Sequence, residues 1–343
     1  HKFSSLNSFL SENQHVYSSI IILTDSNVHK HCLPVIVEAV QDFSGVEVLE
    51  IEPGEQQKNL AIAEQLWIAL MELGADKNLL LVNVGGGVVT DLGGFIAATY
   101  KRGVDYINIP TSLLGAVDAA VGGKTGLDLN EVKNQIGCFW PSKGVFIYPE
   151  FFNSLPDEEF YSGFAECIKH ILIGRPKLWE ELKAFTGSYR DFVSTHIQDL
   201  VEVKNEVVAL DPFEKNQRQY LNYGHTIGHA LEAWCMEQNK AIPHGFAVAW
   251  GILAENYLSV NKGLLPEALA QEIASFIKKT YAFPSFNESM AVALVEYCRH
   301  DKKNEQGEIR FAFLENAGKM ISKQSASPLE IKEAIQSAVQ FLN

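Results

Sequence analysis

Cysteine, positive charge and long apolar runs are all scarce in this sequence, and each scarcity removes a class of protein. The cysteines number five (Cys32, Cys138, Cys167, Cys235 and Cys298), are scattered, and contain no CxxC pair. That pattern speaks for free thiols in a reducing compartment and against a disulfide framework. Lys and Arg total 28 against 42 Asp and Glu, a net charge of −14. A field of that sign disfavours nucleic acid and anionic membrane surfaces as partners, although a local cationic cluster can still hold an anionic small molecule. No apolar run reaches the length of a membrane span, and the polar N-terminal stretch that begins at His1 is no secretory signal. A cytoplasmic location is expected. Internal repeats and low-complexity segments are absent as well.

What is present reads as a globular chain. Hydrophobic residues make up 47% and charged residues 20%, and 343 residues are too many for one ordinary core. Apolar, β-branched runs at Ser19–Thr24, Val46–Ile51, Leu79–Val84 and Tyr106–Ile109 alternate with helical spacing such as Lys58–Leu73, which stops at Gly74. Strands alternating with helices at this interval imply a parallel sheet with crossover helices. Beyond Phe151 the strand signal fades. Helical patterns follow at Asp157–Ile173, Leu178–Phe185, Arg190–Ala209, Gly224–Gln238, Gly245–Asn261 and Pro266–Thr280. The expected organisation is an α/β dinucleotide-binding domain over residues 1–150 and a mostly α-helical metal- and substrate-binding domain over 151–343, with a cleft between them.

Three motifs carry chemistry. Gly85-Gly86-Gly87 follows a buried strand and opens a helical segment at Val88, continued by Asp91, Gly93 and Gly94. Glycines there let backbone N–H groups approach a pyrophosphate, although the spacing is not GxGxxG. Asp25 and Asn27 end the first strand, and Gly54-Glu55-Gln56-Gln57-Lys58 precedes a helix; both are polar loops where α/β sheets bind ligands. The third motif is Asn222-Tyr223-Gly224-His225-Thr226-Ile227-Gly228-His229, followed by His244-Gly245. Imidazoles four apart on a helix share one face, so a divalent metal is expected. Thr226 stands where a metalloprotease carries its glutamate, which disfavours peptide hydrolysis. Glu166, a carboxylate in an apolar helical stretch, needs a metal or a cation beside it. The pattern leaves its co-ligands open among His170, His225, His229 and His244. Lys124, set beside Gly122-Gly123, has the form of an anion contact.

Taken together these segments resemble the 3-dehydroquinate synthases, within the sugar-phosphate cyclases. The resemblance runs from Asp25 to about Lys303. It rests on Pro53 to Lys58, Gly85 to Leu92, Ile109 to Leu114, Val117-Asp118, Gly122 to Lys124, Lys133-Asn134, Ala165-Glu166 with Lys169, the Asn222 to His229 box, His244-Gly245 and Asp301-Lys302-Lys303. It implies a homodimeric enzyme of the shikimate pathway, and so of aromatic amino acid biosynthesis, with NAD and Zn2+ (or Co2+) as cofactors. It makes Glu166, His225 and His244 the metal ligands. The implied substrate is 3-deoxy-D-arabino-heptulosonate 7-phosphate, and the products are 3-dehydroquinate and phosphate. The implied chemistry is transient oxidation by NAD, β-elimination of phosphate, re-reduction and an intramolecular aldol closure.

By the same resemblance His229, Lys124, Asn134, Lys204, Arg218 and Glu214 are catalytic. Asp118, Lys169, Asn222 and Lys302 contact substrate, as does Arg102, which reaches across the dimer interface. The cofactor set is Asp25, Asn27, Glu55, Lys58, Gly86, Gly87, Val88, Asp91, Thr111, Ser112, Asp118 and Lys133. The competing expectations are a cyclase for another sugar phosphate and a metal-dependent polyol dehydrogenase of related architecture.

Overall fold

Every residue of Leu79–Gly85 is buried, which requires cover on both faces of the sheet that holds it. The computed structural model, which describes residues 3–129, 132–287, 290–299 and 309–343, meets that requirement with crossover helices. The chain forms two compact units, His1–Leu155 and Pro156–Asn343. The expected boundary at 150/151 falls inside a short 3-10 turn, Pro149–Ser154.

The first unit runs α1 (Ser4–Asn13), β1 (Ser19–Asp25), α2 (Ser26–His31), α3 (Leu33–Ala39), β2 (Glu47–Ile51), α4 (Leu60–Glu72), β3 (Leu79–Gly85) and α5 (Gly87–Thr99). It continues with β4 (Asp105–Pro110), β5 (Lys124–Leu129), β6 (Val132–Phe139) and β7 (Gly144–Val145). The sheet is parallel with order β2-β1-β3-β4-β7. That order reverses direction between β1 and β3, and open α/β sheets bind ligands outside the strand C-termini at such a point. Asp25 and Gly85 are the last residues of those two strands. Helix α4 starts at Leu60 rather than at the expected Lys58, because the Asn59 side chain caps it by accepting from the Ile62 N–H at 3.0 Å. The antiparallel hairpin β5–β6 was not expected; its polar, glycine-containing strands lack the apolar runs that mark the central sheet.

The second unit holds α6 (Asp157–Gly174), α7 (Pro176–Ala184), α8 (Tyr189–Leu210), α9 (His225–Glu237), α10 (His244–Asn261), α11 (Glu267–Thr280), α12 (Met290–Arg299), β8 (Ile309–Asn316), β9 (Lys319–Ala326) and α13 (Pro328–Leu342). All helices expected there lie within two residues of their anticipated ends. The fading of strand signal after Phe151 is corrected by the antiparallel hairpin β8–β9. Among the described residues no helix is long and apolar enough to cross a membrane.

Helix α13 begins with a capping box in which Ser327 and Glu330 satisfy each other's backbone N–H groups. The Lys262 ammonium, 2.6 Å from Glu330, and the Ser327 bonds together hold the Glu330 carboxyl down at about 2. A carboxyl depressed in the folded state contributes stability above its unfolded value and loses it as pH falls through the folded one. Glu330→Gln is therefore expected to cost about 1 kcal/mol at neutral pH. The difference from the parent should shrink below pH 4.5 and vanish near pH 2. Urea unfolding at several pH values checks this; a pH-independent difference would refute the charge-based account.

Candidate active site

The polar centre of the second unit is Glu166, fully buried in α6 among Phe164, Ala165, Cys167 and Ile168. Its Oε1 lies 3.3 Å from His225 Nε2 and 3.9 Å from His244 Nε2. The ligand atoms of His225, His229 and His244 lie within 4.8 Å of one another. On the other side the Lys169 ammonium pairs with Glu166 Oε2 and donates to the Leu221 carbonyl at 2.8 Å. Burial alone pushes the Glu166 carboxyl up. Lys169, with the His225 and His244 imidazoles, reverses this and holds it well below the carboxylate range.

The imidazoles are oriented from behind. His225 Nδ1 lies 3.1 Å from the Tyr223 carbonyl, and His244 Nδ1 lies 3.2 Å from Glu232 Oε2. Both partners only accept, so each Nδ1 carries the proton and donates it. Burial, then the Lys169 ammonium, lowers His225, and Glu166 does not restore it, so the ring is neutral at pH 7. The Nε2 lone pair of His225 therefore faces a carboxylate oxygen that His244 Nε2 also approaches, an arrangement that a cation between them makes favourable. Neither Glu166 oxygen makes a well-directed hydrogen bond. The donor set, one carboxylate and two imidazoles, suits Zn2+ or a similar divalent ion.

Two glycines bring these helices close enough. A Cβ on Gly245 would sit 1.8 Å from the Ser162 carbonyl oxygen, so α10 lies directly on the α6 backbone one turn before Glu166. A Cβ on Gly251 would sit 2.0 Å from the Gly224 carbonyl oxygen, at the start of α9. Backbone contact at both places lets side chains of ordinary length from three helices converge. His229 lies one turn along α9 from His225, nearer the surface, with ring centroids 5.2 Å apart.

A second group surrounds the turn after α8. Arg218 is 2% exposed; its backbone N–H donates to Asp211 at 3.1 Å and its Nη1 to the Pro212 carbonyl at 2.6 Å. Asp211 also accepts from the Lys215 and Asn216 N–H groups, so one carboxylate shapes the whole loop. Asn222 donates to Glu214 at 2.8 Å, and Lys204 is buried on α8.

In the first unit, Lys58 is buried and clamped. Its ammonium lies 2.9 Å from Glu55, 2.9 Å from Asn134 Oδ1, 3.3 Å from Asp91 and 3.6 Å from Asp128. Four expected site residues, Glu55, Lys58, Asp91 and Asn134, thus come together, with the Lys133 charge close enough to act on Glu55. Gly86 stands at the α5 N-terminus with no side chain capping it, half-buried like Gly87 and Val88. Thr111 N–H donates to the Gly85 carbonyl, and Ser112 accepts from the Gly115 N–H. Asp25 is the cap of α2, holding the Val28 N–H at 3.0 Å, while Asn27 is exposed. Asp118 is half-buried in a π-turn, Gly115–Ala119. Lys124, on β5, and Arg102, in a left-handed turn after α5, are both exposed. Lys302 lies outside the described residues.

Residues 48–162 match the 3-dehydroquinate synthase N-terminal family, and residues 163–304 match the 3-dehydroquinate synthase C-terminal family. The chain belongs to the 3-dehydroquinate synthase family. A relative named 3-dehydroquinate synthase from Parabacteroides distasonis is 40% identical over 335 residues, covering 97% of this chain and 94% of the relative. Another, from Solibacter usitatus, is 35% identical over 324 residues, covering 93% and 90%. Among solved structures, 2-deoxy-scyllo-inosose synthase complexed with carbaglucose-6-phosphate, NAD+ and Co2+ superposes with a TM-score of 0.84 at 24% identity, covering 98% and 94%. Glycerol dehydrogenase from Schizosaccharomyces pombe reaches 0.62 at 16% identity, covering 98% and 87%. At these identities the structural likeness concerns the fold alone.

Sequence reasoning missed several residues that shape the candidate clusters in each unit of this 3-dehydroquinate synthase family member. Glu232 holds His244, Glu255 holds the start of α9, Asp211 holds the Arg218 loop, and Asp128 holds the Asn134 N–H at 2.7 Å. Glu232 and His225 are seven apart, so they share the α9 face, and that spacing was the one available signal.

Proposed function

We propose that this protein is a cytoplasmic, homodimeric carbon–oxygen lyase that converts 3-deoxy-D-arabino-heptulosonate 7-phosphate to 3-dehydroquinate and phosphate, using NAD and a divalent cation, Zn2+ or Co2+. One observation supports it above the others: a buried carboxylate, Glu166, faces two imidazoles whose Nε2 atoms approach the same oxygen. Glu166, His225 and His244 would hold the cation. When bound, NAD supplies a hydride acceptor and donor, and the cation polarises the substrate oxygens and acidifies the alcohol. Five free cysteines accord with a reducing compartment.

The chain's own residues do the remainder. Arg218 and Lys204 are buried cations, a charge type that suits an anionic ligand. We assign them, with Lys169 and Asn222, to the substrate's carboxylate and hydroxyls, and Glu214 orients Asn222. That pairing favours an acid over the sugar phosphates without a carboxylate that other cyclases would take, and over a simple polyol. His229, beside the proposed ligands yet less buried, is assigned to move a proton at the leaving group. Lys124, Asn134 and Arg102 are assigned to the phosphate, with Asp118 and Lys302 completing the substrate set. In the first unit, Gly86, Gly87 and Val88 offer backbone N–H groups at a helix N-terminus for a pyrophosphate. Asp25, Asn27, Glu55, Lys58, Asp91, Thr111, Ser112, Asp118 and Lys133 form the rest of the dinucleotide site.

The test is phosphate release from the heptulosonate phosphate, with and without NAD and a chelator. Release should require both cofactors and leave no net NADH; stoichiometric NADH would reject the reading. Arg218→Ala is expected to raise KM by ~10–100-fold, the worth of one or two charged hydrogen bonds. Metal content should be retained. Unchanged kinetics would remove Arg218 from the carboxylate site.

A further inference from the structure

We infer that Glu232 is the positioning residue of His244: its carboxylate fixes the imidazole with Nε2 toward Glu166 and thereby sets the affinity for the divalent cation. This rests on the cation site of the proposed function and deepens it.

His225 and His244 solve the same problem in different ways. His225 Nδ1 donates to a backbone carbonyl, that of Tyr223, which no side-chain substitution removes. His244 is the first residue of α10, directly after Pro243, whose backbone is extended. A ring at that position has no preceding helical turn to restrict it, and its Nδ1 lies 3.2 Å from Glu232 Oε2. Glu232 is 8% exposed on α9, two turns beyond His225. Helix α9 therefore supplies one proposed ligand directly and orients the other across to α10. Near water a carboxylate needs no such partner. In this buried position it holds the tautomer that leaves Nε2 unprotonated and strengthens that nitrogen as a donor. Glu232 approaches Nδ1, the nitrogen remote from Glu166, so it acts through His244 and not as a further ligand.

The experiment is Co2+ titration of the full chain, stripped of metal by chelator, followed by calorimetry and by the Co2+ absorption spectrum. Glu232→Ala is expected to weaken Co2+ binding by ~10–100-fold. Glu232→Gln keeps an oxygen acceptor for Nδ1–H and should stay within about tenfold of the parent. Glu232→Met fills the volume without an acceptor and should match the alanine variant, which keeps the test available if the smaller side chain fails to fold. Equal losses in the glutamine and alanine variants would make Glu232 a ligand and overturn its positioning role. Parent-like Co2+ affinity in the alanine and methionine variants would overturn it too, while leaving the cation site standing. A parent chain that takes up no Co2+ would overturn the cation reading itself, and this inference with it.

Discussion

His225→Ala is expected to abolish uptake of the divalent cation and to lower kcat/KM by about a thousandfold, with the fold retained. The size follows from the several kcal/mol that a polarising cation contributes to such chemistry, since ~4 kcal/mol corresponds to a factor of about 10³. Retention of the fold follows from charge. His225 is neutral, because burial and Lys169 lower it, so its loss leaves no unpaired ion: Glu166 keeps the Lys169 ammonium. The parallel change Glu166→Ala is a poorer probe. It would leave Lys169 as a buried, uncompensated ammonium, at a cost of about 3–5 kcal/mol, and would confuse lost folding with lost metal. Metal content, phosphate release and unfolding of the metal-free variant give the three readouts. A His225→Ala enzyme that binds metal stoichiometrically and turns over at the parental rate would remove His225 from the centre.

The legible parts of the fold were those where one periodicity dominates. Leu79–Val84 could be read as a covered strand because nearly every side chain in it is apolar, and Glu166 stood out because its neighbours on α6 are. The hairpins were harder. Phe311 and Phe313 are buried on β8, but Lys319, Lys323 and Gln324 on β9 leave a mixed pattern that reads as loop. In β5 and β6, glycines pair at Gly126 and Gly137, so neither alternation nor a helical face is visible. Propensity is weak where a strand is stabilised by one partner instead of a sheet.

For the site, local spacing exposed the candidate ligands and left their supports hidden. His225 and His229 are four apart, and such pairs advertise themselves. Residue spacing alone left the choice among the imidazoles open, and the family resemblance pointed to His225 and His244. Glu232 and Glu255 sit in helices as single acids, the commonest residues of a solvated helix face. Only the close approach of α9 and α10, possible because Gly251 has no side chain, turns them inward. Lys58 posed the opposite problem. It read only as part of a polar loop before a helix, whereas its ammonium is enclosed by Glu55, Asp91, Asp128 and Asn134.

Glu255→Ala is expected to have the largest effect on stability, about 3–5 kcal/mol, and to weaken cation binding as a consequence. The cap position of helix α9 is Gly224, in a left-handed conformation with no side chain to cap the helix. The cap comes from α10: Glu255 Oε2 accepts from the Gly224 N–H at 2.8 Å and Oε1 from the Ile227 N–H at 3.1 Å. Hydrogen bonds to a charged group contribute ~1.5–3 kcal/mol each, and a helix N-terminus adds to the attraction for a negative charge. The carboxylate is fully buried, so water cannot replace it without entering the core. Beside it, Asn256 accepts from the Tyr223 hydroxyl at 2.6 Å, so α10 grips the residue whose carbonyl orients His225. Loosening this turn displaces the first residue of α9, which is the proposed ligand itself. Glu255→Gln, which keeps one acceptor oxygen, should lose roughly half as much. Urea unfolding and Co2+ titration on the same samples read both consequences. Parental stability in the alanine variant would mean that the helix start is held by something other than this carboxylate, and the link from Glu255 through Tyr223 to His225 would fail.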